Sequence, residues 1–93
     1  MGRTKRPKPK FLSQKLLEIR LKLGLSQNEM LARLGLDERL LRTAISGYEL
    51  GTSEPPLPTI LKYARVAGIC TDVLLDDDLK LPAKLPAKPK HGS

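Results

Sequence analysis

From Leu12 the apolar residues recur at Leu12, Leu16, Ile19 and Leu23, the i, i+4, i+7, i+11 stripe of a helix with one buried face, and Gly24 ends it. Ser26-Gln-Asn-Glu29 then reads as a capping box, in which the Ser26 hydroxyl accepts from the Glu29 amide while the Glu29 carboxylate reaches back to Ser26. Leu25 and Met30 flank that box at the spacing of a hydrophobic staple. A second helix therefore starts at Ser26 and runs to Leu34, where Gly35 supplies a left-handed turn. Asp37 caps a third helix, with Leu36 and Leu41 as its staple, and Gly51 follows its last periodic residue. Glu54-Pro-Pro-Leu-Pro58 reads as an extended connector leading into a fourth helix over Leu57 to Ala67, with Pro58 tolerated in the first turn and Gly68 as the stop. A short fifth helix follows Cys70-Thr71, with Asp72 at its positive end. The expectation is an all-α, compact five-helix domain.

Two helices joined by a glycine-bearing turn of this length suggest a helix-turn-helix, whose second member enters the DNA major groove. At 100° per residue, Leu41, Ala44, Ile45 and Tyr48 share one face of the third helix and pack inward. Arg39, Thr43, Ser46, Gly47 and Leu50 lie opposite, with Arg42 on the flank. A guanidinium fork, hydroxyls and a methyl are the groups suited to base edges and phosphates. Any surface helix has a polar outer face, so this pattern alone does not single out DNA. Gly47 adds to it: a glycine within a helix costs about 0.8–1 kcal/mol relative to Ala. Close approach of another backbone, a phosphate strand among the candidates, would account for it, as would a local kink.

Length and composition narrow the field. The 93 residues form one domain, and the only aromatics are Phe11, Tyr48 and Tyr63, which points to an aliphatic, helical core. A single cysteine, Cys70, rules out an internal disulfide or a multi-cysteine zinc site, and the lone histidine, His91, stands in a Pro/Lys tail. Metal hydrolysis and Ser/His/Asp chemistry are excluded on that basis, and no metal, cofactor or catalytic residue is expected. No apolar run reaches a membrane span and no signal-peptide pattern follows the basic N-terminus, which reads as a cytoplasmic protein without membrane association.

The net charge of +7 is unevenly placed. Residues 1–10 carry five bases and no acid, residues 79–93 carry four bases, and residues 11–78 carry eight bases against ten acids, a net of −2. The expected organisation is a disordered basic arm over 1–10, a helical domain over 11–78 and a disordered Pro/Lys-rich tail over 79–93 containing the repeat LPAK-LPAK. Two readings of the basic ends stay open: solvated segments that aid solubility, or flexible phosphate-binding arms.

Several blocks resemble the phage-repressor or Cro-like family of helix-turn-helix proteins, also called the xenobiotic-response-element (XRE) family. They are Arg20-Leu-Lys-Leu-Gly-Leu-Ser-Gln27, Leu34-Gly35, Ile45-Ser-Gly-Tyr-Glu-Leu-Gly51 and Pro55 to Leu75, including Leu61-Lys-Tyr-Ala-Arg-Val-Ala-Gly-Ile69. The resemblance implies a five-helix DNA-binding domain in which Gln27 contacts DNA backbone or a base and the third helix reads sequence. It also implies that Arg20 pairs with Glu49 to lock the first helix onto the third. The sequence departs from the family where Leu31 replaces a small residue. A second departure lies between Gly35 and Ile45, where nine residues intervene, about four more than usual, or roughly one helical turn of ~6 Å. Either the third helix is longer at its N-terminus, or Asp37 to Leu40 form a longer turn.

The remaining features are quieter. Asp76-Asp77-Asp78 reads as a solvated terminus, Cys70 as a buried or capping thiol, and Val73, Leu74, Leu75 and Leu79 as core, with a homodimer contact as the other option. The resulting expectation is a repressor-like transcriptional regulator that binds double-stranded DNA sequence-specifically without catalysis. Its expected contacts are Gln27, Arg39, Arg42, Thr43, Ser46 and Gly47. The reading from another class is a protein-interaction module of the same fold, such as the antitoxin bound to a toxin partner; the net negative core favours it.

Overall fold

The computed structural model describes residues 9–35 and 38–86, the side chains of 38–42 excepted. Five helices follow one another: α1 (Leu12–Leu23), α2 (Gln27–Leu34), α3 (Glu38–Leu50), α4 (Leu57–Ala67) and α5 (Thr71–Leu75). Local chemistry sets their ends. Gly24, Gly35 and Gly68 adopt the left-handed conformation that stops α1, α2 and α4. At the start of α2 the Ser26 hydroxyl accepts from the Glu29 amide (3.1 Å) and the Glu29 carboxylate accepts from the Ser26 amide (2.8 Å), completing the capping box.

The helices bury one aliphatic core. α1 contributes Leu12, Leu16, Ile19 and Leu23, α2 contributes Met30, Leu31 and Leu34, and α4 contributes Ile60, Tyr63, Ala64 and Ala67. Leu74 of α5 and Ile45 and Tyr48 of α3 complete it, and Leu25 and Met30, the two residues flanking the capping box, are both buried in the same cluster. Leu31, at the place where the family prefers a small residue, is fully buried. α3 packs against both α1 and α2, and α4 rests on α1, α2 and α5, so the α2–α3 unit sits on a base formed by the other three helices.

The residues between Gly35 and Ile45 lengthen the helix. α3 begins at Glu38, seven residues before Ile45, so Glu38, Arg39 and Leu40 belong to the helix and not to a longer turn. The proposed cap Asp37 and the Leu36–Leu41 staple lie outside the described residues and side chains.

Three expectations are corrected. The segment after α5 is not detached: Leu81 packs on the core, Leu85 is buried within it, and the Lys22 ammonium donates to the Ala83 carbonyl (2.8 Å). Two leucines spaced four apart, stiffened by Pro82, supply apolar area that a generic Pro/Lys tail lacks. Residues 1–8 and 87–93 lie outside the described part of the chain.

Second, the aspartate run is not merely solvated. The Asp77 carboxylate accepts from the backbone amides of Lys10 (2.9 Å) and Phe11 (3.2 Å) at the entrance to α1, and the Lys10 hydrogen bond holds its pKa below the ordinary range. In return, the buried Lys15 of α1 donates to the carbonyls of Val73 (2.7 Å) and Asp76 (3.0 Å) at the end of α5. Each group answers the partial charge of the helix end it meets. Third, Cys70 is exposed and holds the position before α5 without a side-chain cap. In the neighbouring apolar cluster, Leu74 is core, Val73 and Leu75 are half-buried and Leu79 is exposed.

Candidate nucleic-acid interface

The Glu49 carboxylate, near the end of α3, gathers three elements. Arg20 of α1 donates to it through Nε (2.6 Å, to Oε2) and Nη2 (3.1 Å, to Oε1). Its Nη1 donates to the Leu25 carbonyl (2.9 Å) in the link before α2. Gln27, the first residue of α2, donates from Nε2 to the same carboxylate (3.1 Å). The Arg20 and Glu49 side chains are only 14% and 5% exposed, so the forked pair is shielded from water and from salt. Together these bonds fix the start of α2 against the end of α3, which sets the angle between the two helices.

Tyr63 of α4 is fully buried near this network, and its hydroxyl has no hydrogen-bond partner among the described residues. Burial, reinforced by the charge of Glu49 and by Tyr48 and opposed by Arg20, raises its pKa well above the ordinary phenol range.

With one side of α3 held this way, its other side faces solvent. Ile45, Tyr48 and Glu49 are buried and Ala44 is half-buried, whereas Thr43 is exposed, Ser46 half-exposed and Leu50 74% exposed. By helical register Arg39 shares the line of Thr43, Ser46 and Leu50, and Arg42 falls between that line and Glu49. The side chains of Arg39 and Arg42 lie outside the described set.

Gly47 is also buried, and the backbone that approaches it belongs to this chain. Its carbonyl accepts from the amides of Thr52 (3.0 Å) and Ser53 (3.2 Å) in the turn after α3. A Cβ at Gly47 would stand 2.8 Å from Ser53 Oγ and 3.1 Å from Ser53 Cβ. The close backbone approach that a glycine permits here is accounted for within the chain, by the Thr52-Ser53 turn seated against α3.

Gln27 is likewise partly committed, since one of its N–H groups is taken by Glu49. Its side-chain carbonyl oxygen and its second N–H remain as the groups it can offer a ligand. Sequence reasoning missed the bond from Gln27 to Glu49 and the seat of the Thr52-Ser53 turn. The hydroxyl pair directly after Gly51 was the available signal for the second; nothing in local spacing signalled the first.

A helix-turn-helix family model matches residues 16–74, which includes all of α2, α3 and α4. The chain belongs to the helix-turn-helix family. It is 36% identical over 65 residues to YonR of Bacillus subtilis strain 168, an SPbeta prophage-derived uncharacterized HTH-type transcriptional regulator. That match covers 70% of this chain and 56% of YonR, so the chain spans little more than half the length of this relative. Among solved structures, the hypothetical transcription factor NHTF from Neisseria is similar with a TM-score of 0.60 at 26% identity, over 89% of this chain and 90% of that one. The P22 c2 repressor, solved with a synthetic operator, shares the fold with a TM-score of 0.61 at 24% identity, over 72% of this chain and 96% of that one. Among the described residues no helix is long and apolar enough to cross a membrane.

Proposed function

We propose that this chain is a non-catalytic transcriptional regulator that binds duplex DNA sequence-specifically by laying α3 in the major groove. The observation that carries this reading is the Arg20–Glu49–Gln27 network, which fixes α2 across α3 while leaving the Thr43–Ser46–Leu50 side of α3 open. A recognition helix needs this combination of a rigid scaffold behind and an unoccupied face in front.

In this reading Thr43 and Ser46 face the groove, Arg39 and Arg42 supply guanidinium contacts to bases or phosphates, and Gln27 with the start of α2 meets the flanking phosphate strand. Gly47 acts indirectly, through the turn it seats. The relatives point the same way: YonR is named as a transcriptional regulator and the P22 c2 repressor was solved on operator DNA.

Selection of bound sites from a random duplex pool tests the proposal. The full chain is expected to enrich one motif, and the symmetry of that motif reports how many copies bind. Arg42→Ala should relax preference at one base position, where a bidentate guanine contact is worth ~1–3 kcal/mol, whereas Gln27→Ala should weaken all duplexes alike. If the chain enriches no motif, or if folded Gln27→Ala, Arg42→Ala and Ser46→Ala proteins bind the selected site as tightly as the unaltered chain, the assignment of α3 as a reading helix is wrong.

A further inference from the structure

We propose that the outward face of α4 is an interaction surface that takes a second copy of this chain, the two α4 helices lying antiparallel across a two-fold axis. The inward side of α4 holds Thr59, Ile60, Tyr63, Ala64 and Ala67, all buried. On the opposite side Leu57 is 68% and Leu61 39% exposed, one helical turn apart, and Pro58 is exposed beside them. Elsewhere the outward positions carry polar groups, Gln14 and Glu18 on α1 and Asn28 and Arg33 on α2. The exposed positions in the first turns of α4 are all apolar, and an apolar patch rimmed by charge marks a protein contact. The Val73–Leu79 cluster is less suited to this role. Its Leu74 is core, and its exposed Leu79 stands in a cleft with Lys15, Glu18, Asp77 and Lys80.

Charge selects a second copy as the occupant. Leu57, Leu61 and Arg65 fall within an arc of about 80° at the helical angle of ~100° per residue, and Arg65 is exposed near the end of α4. Glu54 is exposed in the non-helical stretch that leads into α4. The patch therefore has an acid at one end and a base at the other. In an antiparallel pair these ends exchange, so each Arg65 meets the partner subunit's Glu54 and symmetry makes the contact twice. Leu57 then packs against the partner subunit's Leu61 at the ~8–10 Å separation of packed helices. Each helix N-terminus also lies beside the partner's C-terminus, where the dipoles attract. A parallel pair would set like charges and like helix ends together. One helix face is smaller than the ~800 Å² per partner of a standard interface, which makes the association reversible, with a Kd on the order of 10–100 μM.

Sedimentation equilibrium of the full chain over about 5–500 μM, a range chosen for a small interface, should show a monomer–dimer equilibrium. Leu57→Glu should weaken it by ~10-fold or more, as loss of a central apolar contact does. Arg65→Glu and Glu54→Arg each set like charges across the axis and should each weaken self-association several-fold. Mixing those two variant chains, or combining both changes in one chain, should restore association, because opposite charges face each other again. All three side chains are exposed, so circular dichroism and thermal unfolding of the variants should match those of the unaltered chain. A chain that stays monomeric over the whole range, or a dimer indifferent to Leu57→Glu, overturns the surface. Charge variants that mixing does not rescue overturn the antiparallel arrangement. No DNA enters the measurement, so its outcome is separate from that of the duplex-binding reading.

Discussion

Glu49→Ala is the sharpest perturbation of the scaffold, because one carboxylate accepts from three side-chain donors. Truncation removes the acceptor for Arg20 Nε, Arg20 Nη2 and Gln27 Nε2 at once, while Nη1 keeps the Leu25 carbonyl. The guanidinium left behind is 14% exposed and so is only slightly hydrated. Breaking a buried pair by deleting one partner costs ~3–5 kcal/mol, and the retained Leu25 bond with the slight exposure places this site near 3. For a domain of this size each kcal/mol shifts Tm by roughly 4–8 °C, so Tm should fall by at least about 12 °C. Thermal unfolding followed by far-ultraviolet circular dichroism measures this directly. The double variant Arg20→Met with Glu49→Leu leaves no buried charge and should recover most of the loss. A Glu49→Ala protein that melts within a degree or two of the unaltered chain would refute the reasoning.

Gly47→Ala should destabilise by about 1 kcal/mol, since overpacking of ~1–3 kcal/mol against Ser53 outweighs the helix propensity gained; a more stable Gly47→Ala protein in urea titration would contradict the close contact. Leu85→Ala should cost about 2 kcal/mol, at the lower bound for a buried Leu, because the side chain is 8% exposed in the core, and ending the chain at Lys80 should do at least as much damage. An unaltered urea midpoint in that truncated chain would mean the segment is not part of the fold. Tyr63→Phe removes a buried hydroxyl with no partner among the described residues and should stabilise by about 1 kcal/mol near pH 7. Because its folded pKa is raised, the stability linked to Tyr63 is present below the ordinary phenol value of 10.0 and is lost as pH rises above it. Tyr63→Phe should therefore lose less stability between pH 9 and 11, measured by urea midpoints in buffers spanning about that range, and parallel losses in the two proteins would argue against a shifted phenol.

The start of α2 and the ends of α1, α2 and α4 were legible in the sequence, because each depends on neighbouring residues. The capping box at Ser26 acts over three residues, Gly24, Gly35 and Gly68 each relieve a steric problem at their own position, and the stripe from Leu12 to Leu23 encodes its buried face by spacing alone. The outward placing of Thr43, Ser46 and Leu50 on α3 followed from the same periodicity, whereas Gly47, read as outward, is buried, and the Arg20–Glu49 pair came from family resemblance rather than spacing.

Periodicity could not determine the length of α3, because an extra four residues turn a helix by about 400° and leave nearly the same faces in register. Only the folded backbone shows that Glu38, Arg39 and Leu40 extend the helix. The tertiary structure also decided that Gln27 binds Glu49, that Asp77 holds the Lys10 and Phe11 amides, that Lys15 closes the end of α5 and that Leu85 enters the core. These contacts join residues 22 to more than 60 positions apart. No local conformational preference specifies them; they exist because packing the aliphatic stripes brings distant donors, acceptors and leucines to the same place.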